Sequence, residues 1–348
     1  MQFRRPPVVG IVYNTTMSHS DAALTLALLY GLEGKRESRV ASIAVTENSL
    51  GAAAFADAVY RFYLLGLLPN ANRTLPVGLA ADKPLPPDSP VVKAVLERVN
   101  EKGEPLYMRG IRRVSDTAEV TALVRNSLAY FEDGWVAVVL SAPATYLTRI
   151  LDYAGTRDLI KSKVRTTIIS ECKQDVAAMR TVLAEWPAPI VFCGRDVGEA
   201  LPYPGSSIEQ DFAWTKAHPV VDFYRACKPM PYDAPSQDLA AVLYAVRPNS
   251  GLFQLSSGSI DVLDDGGMRF IPAAEGKHKR LTVDPAKKDQ ILSALREVVT
   301  ARPVPPARRR FTLEELEKLR REREEEQKKR ELEENKAAAK PIPQQPRP

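Results

Sequence analysis

Long apolar runs are missing from this 348-residue sequence. No stretch reaches the roughly 18 consecutive apolar residues that a membrane-spanning helix needs, and the short apolar run near the start ends at Tyr13 and Asn14. We therefore expect neither a membrane span nor an intact signal peptide. Because 45% of the side chains are hydrophobic, the chain can still bury a large core. These features predict a soluble globular protein in the cytoplasm.

Cysteine is scarce as well. The three cysteines, Cys172, Cys193 and Cys227, form no C-x-x-C pair, and each lies among apolar or small residues. An odd number without metal-ligand spacing argues against a disulfide framework, a metal site or a nucleophile. We interpret them as reduced core cysteines, which favours a reducing compartment.

A large excess of charge is absent outside the C-terminal segment. The formal net charge is +5, but residues 302–348 hold 14 Lys and Arg against 10 Asp and Glu, which leaves 34 against 33 in the rest. A nucleic-acid groove through the body of the protein is therefore not expected. Electrostatic binding of a partner, if present, is predicted for the C-terminal segment.

Short β-branched runs alternate with helical stretches over about 250 residues. This alternation predicts an α/β fold, a doubly wound and mostly parallel sheet, in which ligands bind at the carboxyl ends of the strands. The predicted strands are residues 6–14, 40–46, 75–79, 135–140, 166–169 and 190–193, and the predicted helices are residues 21–32, 51–68, 145–154 and 176–185.

The pattern changes near residue 252. Residues 252–270 alternate around an Asp-Asp-Gly-Gly turn, which predicts a β-hairpin that decorates the main domain. We assign residues 1–300 to one main domain, 301–311 to a Pro/Arg-rich linker, 312–336 to a charged helix and 337–348 to a disordered tail.

The predicted C-terminal helix opens with capping-box spacing from Thr312 to Glu315. Pairs such as Glu314 with Lys318 stand four residues apart in the favourable order. We interpret the segment as a solvated charged helix, with contact to a protein or RNA partner as the alternative.

Several loops together resemble the inosine/uridine-preferring nucleoside hydrolases, in particular their divergent bacterial branch. The family has an Asp-rich loop, D-T-D-P-G-x-D-D-A, after its first strand, and residues 14–22 (N-T-T-M-S-H-S-D-A) have the same spacing with most carboxylates replaced. Five further segments agree in order, namely residues 45–46, 75–85 (LPVGLAADKPL), 141–145 (SAPAT), 186–198 (WPAPIVFCGRDVG) and 236–246 (SQDLAAVLYAV). The resemblance covers about residues 8–285 and implies the nucleoside-hydrolase fold.

The resemblance also implies a chemistry. In the family a Ca²⁺ ion, held by several Asp side chains and one Thr main-chain carbonyl, binds the sugar diol and delivers a deprotonated water to the N-ribosyl bond. By position, Asp21, the carbonyl of Thr145 and Asp238 are the expected metal ligands. The catalytic base of the family falls on Thr16 and another ligand carboxylate falls on Ser20.

These replacements predict impaired catalysis. Two carboxylates supply too little charge for tight calcium binding, and a threonine hydroxyl cannot accept a proton near pH 7. Gln237 stands where many members have His, so it can hydrogen-bond a ligand but cannot act as an acid. The expected substrate-binding residues are Asn14, Glu47, Asn48 and Gln237.

Simpler structural roles compete with the metal-binding roles expected for Asp21 and Asp238. Asp21 stands at a helix start, where the helix dipole alone favours a carboxylate, and Asp238 is explained equally well by helix capping. His19 is a further candidate for a substitute base.

We therefore predict a nucleoside-hydrolase-like protein with a weak or lost calcium site. The alternative is a pseudoenzyme that binds a nucleoside or sugar, or serves as an assembly subunit. The oligomeric state is left open, with a homo-oligomer as one alternative, and exported relatives leave an exported location open.

Overall fold

The computed structural model describes residues 8–64, 76–81 and 83–304. Its strands form one sheet in the order β3-β2-β1-β4-β5-β6-β9-β7-β8. The strands are β1 Val9–Thr15, β2 Ser38–Val45, β3 Val77–Leu79, β4 Val136–Ser141, β5 Val164–Ser170, β6 Ile190–Cys193, β7 Gln254–Val262, β8 Met268–Pro272 and β9 His278–Thr282.

Helices cover both faces of the sheet. They are α1 Ser20–Gly34, α2 Leu50–Leu64, α3 Pro90–Leu96, α4 Val120–Tyr130, α5 Thr145–Asp152, α6 Thr156–Lys163, α7 Val176–Glu185, α8 Arg195–Ala200, α9 Gly205–Gln210, α10 Pro219–Cys227, α11 Gln237–Val246 and α12 Lys288–Val299, with short 3₁₀ helices at Val114–Asp116 and Pro285–Lys287.

The middle of the sheet is buried on both faces, as β1 shows. Every residue of β1 is buried, and the strand pairs in parallel with β2 on one side and β4 on the other. A strand covered on both faces reads as a continuous apolar run. The helix that follows, α1, is also buried on nearly every side, because it packs against β2 and against other helices.

Two apolar cores lie on opposite faces of the sheet. Side chains of α1, α2 and α8 to α12 form one core, and side chains of α4 to α7 form the other. The chain order of the strands reverses between β1 and β4. In doubly wound sheets the crevice at such a reversal, beyond the carboxyl ends of the strands, is where ligands bind.

The predicted hairpin is confirmed by antiparallel pairing of β7 with β8, from Val262 opposite Met268 to Gly258 opposite Pro272. It continues the main sheet, because β9 joins β7 to β6. Strand β9 has no strand signal in the sequence, since its HKRLT segment carries three basic residues of five.

The predicted fold class is confirmed, and α7 and β6 have the predicted bounds. The structure describes the helix predicted for residues 51–68 only to Leu64. The C-terminal helix and tail, and the linker beyond residue 304, lie outside the described residues. In the described part of the chain, no helix is long and apolar enough to cross a membrane.

Candidate functional site

Two buried aspartates face each other at the carboxyl edge of the sheet. Asp21 is in the first turn of α1 and Asp238 in the first turn of α11, and they are 6% and 2% exposed. The two helices pack side by side, so their N-terminal turns meet beyond the end of β1. We call this pair of side chains the acid pair.

The Asp21 carboxylate binds the start of α11. Its Oδ2 accepts the backbone N–H of Asp238 at 2.7 Å, and its Oδ1 accepts that of Leu239 at 3.3 Å. The first N–H groups of a helix have no partner within the helix, so an outside acceptor satisfies them. Asp21 therefore caps a helix that begins 216 positions later in the sequence.

The Asp238 carboxylate accepts two hydroxyl groups. The Tyr13 hydroxyl donates to Oδ2 at 2.9 Å, and the Ser141 hydroxyl donates to Oδ1. Burial, and then the charge of Asp238, raise the pKa of Tyr13 well above its usual value, so the phenol keeps its proton. The sequence gives no sign of this role for Tyr13, because Tyr13 stands in the apolar run of β1. Ser141 lies in the segment quoted for the resemblance, which is the one signal that pointed to it.

The acid pair brings two like charges together in an apolar interior. Burial, and then the nearby charge of Asp238, raise the pKa of Asp21 well above its usual range. Backbone N–H groups at Asp238 and Leu239 oppose this shift only in part. Burial and the nearby like charge therefore favour the protonated form of Asp21.

The loop after β1 is held by local hydrogen bonds. The hydroxyls of Thr16 and Ser18 lie 2.7 Å apart, and Nδ1 of His19 accepts the Ala22 N–H at 3.3 Å as the cap of α1. The buried Asn14 donates through Nδ2 to the Val139 carbonyl at 3.3 Å, while its Oδ1 has no partner within the described residues.

The loop after β2 carries two of the predicted substrate-binding residues. Asn48 donates through Nδ2 to the carbonyl of Thr16, which joins this loop to the one after β1. Its Oδ1 accepts the Ser49 N–H at 2.7 Å. Glu47 is exposed and has a φ of 54°, in the left-handed region that L residues rarely adopt.

Two other predicted residues make contacts that hold the scaffold. Gln237 donates through Nε2 to the carbonyls of Cys193 at 2.8 Å and Glu171 at 3.2 Å, at the ends of β6 and β5. The Thr145 carbonyl accepts the Thr148 hydroxyl at 2.7 Å within α5. The carbonyl expected to bind calcium is thus used inside its own helix.

A cavity of about 540 Å³ opens beyond the carboxyl ends of β2, β3 and β4, and neither residue of the acid pair lines it. Leu79, Pro84, Leu85, Pro143 and Tyr146 contribute apolar wall. Its charged lining residues are Glu47, Lys83, Glu119 and Arg149. We call it the β2–β4 cavity. Its size is in the range of small-molecule sites.

The residues present do not fit calcium. Among the described residues, His19, Asp21 and Asp238 form a group of possible metal ligands, with ligand atoms within 4.8 Å of one another. Calcium takes roughly six to eight oxygen ligands, most of the charge coming from carboxylates. Here one of the three donors is a ring nitrogen, and each oxygen of the acid pair already accepts a protein hydrogen bond.

Comparison with solved structures decides the fold. An inosine-uridine preferring nucleoside hydrolase from Bacillus anthracis is 14% identical, with a TM-score of 0.59 over 84% of this chain and 100% of that one. A purine-preferring ribonucleoside hydrolase from Gardnerella vaginalis is 15% identical, with a TM-score of 0.60 over 84% and 98%. The chain has the nucleoside-hydrolase fold. No protein-family model matches the sequence, and no curated protein does either.

A third similar structure with this fold is a type III effector protein in complex with adenosine diphosphate ribose. It is 14% identical, with a TM-score of 0.57 over 86% of this chain and 96% of that one. Identities this low show the nucleoside-hydrolase fold alone.

On this nucleoside-hydrolase fold the predicted residues form two groups. Asp21 and Asp238 meet in the acid pair, with His19 beside them. Glu47, Asn48 and Thr145 line the β2–β4 cavity instead. Asn14, Thr16 and Gln237 form hydrogen bonds to other strands and loops at this edge and do not line the cavity.

Proposed function

We propose that this protein binds a ribonucleoside or a related ribosyl compound and that its metal-dependent hydrolysis of N-ribosyl bonds is impaired. The observation that carries the proposal is the hydrogen bonding of the acid pair. All four carboxylate oxygens of Asp21 and Asp238 accept hydrogen bonds from the protein itself. The two acids thereby stabilise the meeting of β1, β4, α1 and α11.

The missing base supports the same proposal. Cleavage of an N-ribosyl bond needs a deprotonated water, and a general base must lie within hydrogen-bond reach of it. The family resemblance assigns the position of that base to Thr16, and the Thr16 hydroxyl is engaged with Ser18. A neutral hydroxyl has no basicity at neutral pH.

The ligand class rests on the fold and the cavity. Two of the similar structures are named as nucleoside hydrolases, and a third was solved with adenosine diphosphate ribose, so ribosyl compounds are common to them. The β2–β4 cavity offers apolar wall for a ring and charged groups for a sugar or a phosphate. We infer that binding is retained while calcium affinity is weak or lost.

The test is ribose release from inosine, uridine and p-nitrophenyl riboside, with calcium and with a chelator. We expect ribose release to be no faster with calcium than with the chelator. Release that the chelator and Asp21→Ala both abolish would contradict the proposal. So would chelator-resistant release that is lost in Glu47→Gln, because a different base would then be at work.

A pseudoenzyme that serves as a binding subunit is the second candidate. The observation that favours it over a slow enzyme is again the acid pair, in which the Asp21 carboxylate caps α11 and the Asp238 carboxylate accepts two hydroxyl groups. Ligand-induced stabilisation of the fold without ribose release would support it, because a ligand that binds the native state raises the melting temperature.

A further inference from the structure

One acidic side chain at the carboxyl edge has no partner in the described part of the chain. Acidic side chains of neighbouring loops are engaged, as the following contacts show. Asp21 accepts backbone N–H groups and Asp238 accepts hydroxyl groups. Glu119 accepts two N–H groups at the start of α4. Glu171 accepts the Arg195 N–H at 2.8 Å. Glu47 accepts no hydrogen bond and forms no ion pair with a described residue, yet it lines the β2–β4 cavity.

The backbone around Glu47 is firmly held. The Thr46 N–H donates to the Thr15 carbonyl at 3.1 Å, the Ala80 N–H donates to the Val45 carbonyl at 3.0 Å, and Asn48 ties the loop to Thr16. These contacts keep Glu47 at a φ of 54°, which costs free energy in an L residue. The backbone at Glu47 therefore loses little freedom when the side chain binds a ligand.

The position of Glu47 in the sheet suggests what it binds. The order β3-β2-β1-β4-β5-β6 is that of doubly wound dinucleotide-binding sheets. In such sheets an acidic residue beyond the second strand accepts hydrogen bonds from ribose hydroxyls. Glu47 comes two residues after the last residue of β2.

The geometry points to a displaced sugar site: we propose that the Glu47 carboxylate accepts hydrogen bonds from the vicinal hydroxyls of a ribosyl ligand in the β2–β4 cavity. The sugar then lies at the end of β2, and not over the acid pair. The apolar wall made by Leu79, Pro143 and Tyr146 receives the ring attached to the sugar. This inference rests on the proposed function only in taking the ligand to be a ribosyl compound.

The test is a calorimetric titration in the presence of a chelator with two probes, inosine and 2′,3′-dideoxyinosine. The probes differ only in the two hydroxyls. We expect wild-type protein to bind inosine about tenfold or more tighter, since hydrogen bonds to a charged acceptor are the stronger kind. In Glu47→Ala the ratio of the two affinities is expected to fall to within about twofold. Glu47→Gln keeps one acceptor and should give an intermediate ratio.

Glu132→Ala is the matched control. Glu132 is also exposed, but it precedes β4 and so lies at the opposite edge of the sheet. Its variant should keep the wild-type ratio. A wild-type-like ratio in Glu47→Ala, equal binding of both probes by wild-type protein, or no inosine binding up to millimolar concentration would each overturn the inference.

The outcome is separable from the proposed function. If wild-type protein releases ribose from inosine with calcium, the proposal of impaired hydrolysis fails. The ratio measured with the chelator still decides the role of Glu47.

Discussion

The Asp21 carboxylate accepts the backbone N–H of Asp238 at 2.7 Å, across 217 positions of sequence. This hydrogen bond joins the first turns of α1 and α11 at the point where ligands bind in sheets of this kind. A residue that the family resemblance assigns to a cation thus has a structural task in this chain.

Removing the Asp21 carboxylate should lower the free energy of unfolding. In Asp21→Ala the buried N–H groups of Asp238 and Leu239 lose their acceptors, so we expect a loss of about 1–3 kcal/mol. Asp21→Asn keeps one acceptor and should lose less. Urea unfolding with a chelator present measures both. Asp196→Ala is the control, because it removes a carboxylate from the first turn of α8, where Asp196 forms a partly exposed ion pair with Arg280 and accepts no buried N–H group of a described residue. A loss in Asp21→Ala no larger than in the control would refute the capping role.

The Tyr13 hydroxyl should matter more than other buried hydroxyls. Tyr13→Phe leaves the buried Asp238 carboxylate with one donor fewer, which we expect to cost about 1–3 kcal/mol of unfolding free energy. Tyr30→Phe is matched to it, since the buried Tyr30 hydroxyl has no partner within the described residues. That variant should be neutral or slightly stabilising. Equal effects of the two substitutions in urea unfolding would show that the bond to Asp238 contributes nothing.

Glycine at position 47 should stabilise the protein while weakening ligand binding. Glycine adopts positive φ without steric cost, so Glu47→Gly should raise the free energy of unfolding by up to about 1 kcal/mol. Arg36→Gly relieves the same kind of strain at a φ of 63°, in the turn after α1. It should stabilise to a similar extent and leave inosine affinity unchanged. Thermal unfolding and inosine titration check this, and undiminished inosine binding by Glu47→Gly would argue against a functional reason for the strain.

Stability should fall in mild acid because of His218. This side chain is buried among Phe62, Phe212 and Trp214, and burial lowers its pKa from 6.5 to about 3. Its Nδ1 accepts the Val220 N–H at 3.2 Å, a bond that protonation would break.

The free energy of unfolding falls in acid because the pKa of His218 is lower in the folded chain than in the unfolded chain. Below pH 6.5 the unfolded chain takes up a proton that the folded chain refuses, so the free energy of unfolding declines as the pH falls toward 3. The contribution at pH 5 is about 2 kcal/mol relative to pH 7.5. Urea unfolding of wild-type protein and of His218→Phe at both pH values measures it. Equal pH dependence in the two proteins would show that His218 does not titrate on unfolding.

The fold was predictable to the extent that its signals are local. The apolar run at Ile190–Cys193 and the periodic helix Val176–Glu185 carry their structure in their own residues. Strand β9 does not, because its place in the sheet depends on pairing with β6 and β7.

The site was predictable only as a location. Motif spacing indicates the carboxyl edge for Asp21 and Asp238, but it cannot reveal that the amides of α11 bind Asp21 or that Tyr13 reaches Asp238. Those contacts arise when elements more than 200 positions apart pack together. The separation of Glu47 and Asn48 from the acid pair is likewise a product of the loops around the cavity.

The central claim is that the acid pair has a structural role and does not hold calcium. Calorimetric titration of the purified protein with calcium chloride, at neutral pH after removal of bound metal, tests it most directly. We predict no saturable binding at up to millimolar calcium. A stoichiometric site with micromolar affinity that is lost in Asp21→Asn would contradict the claim.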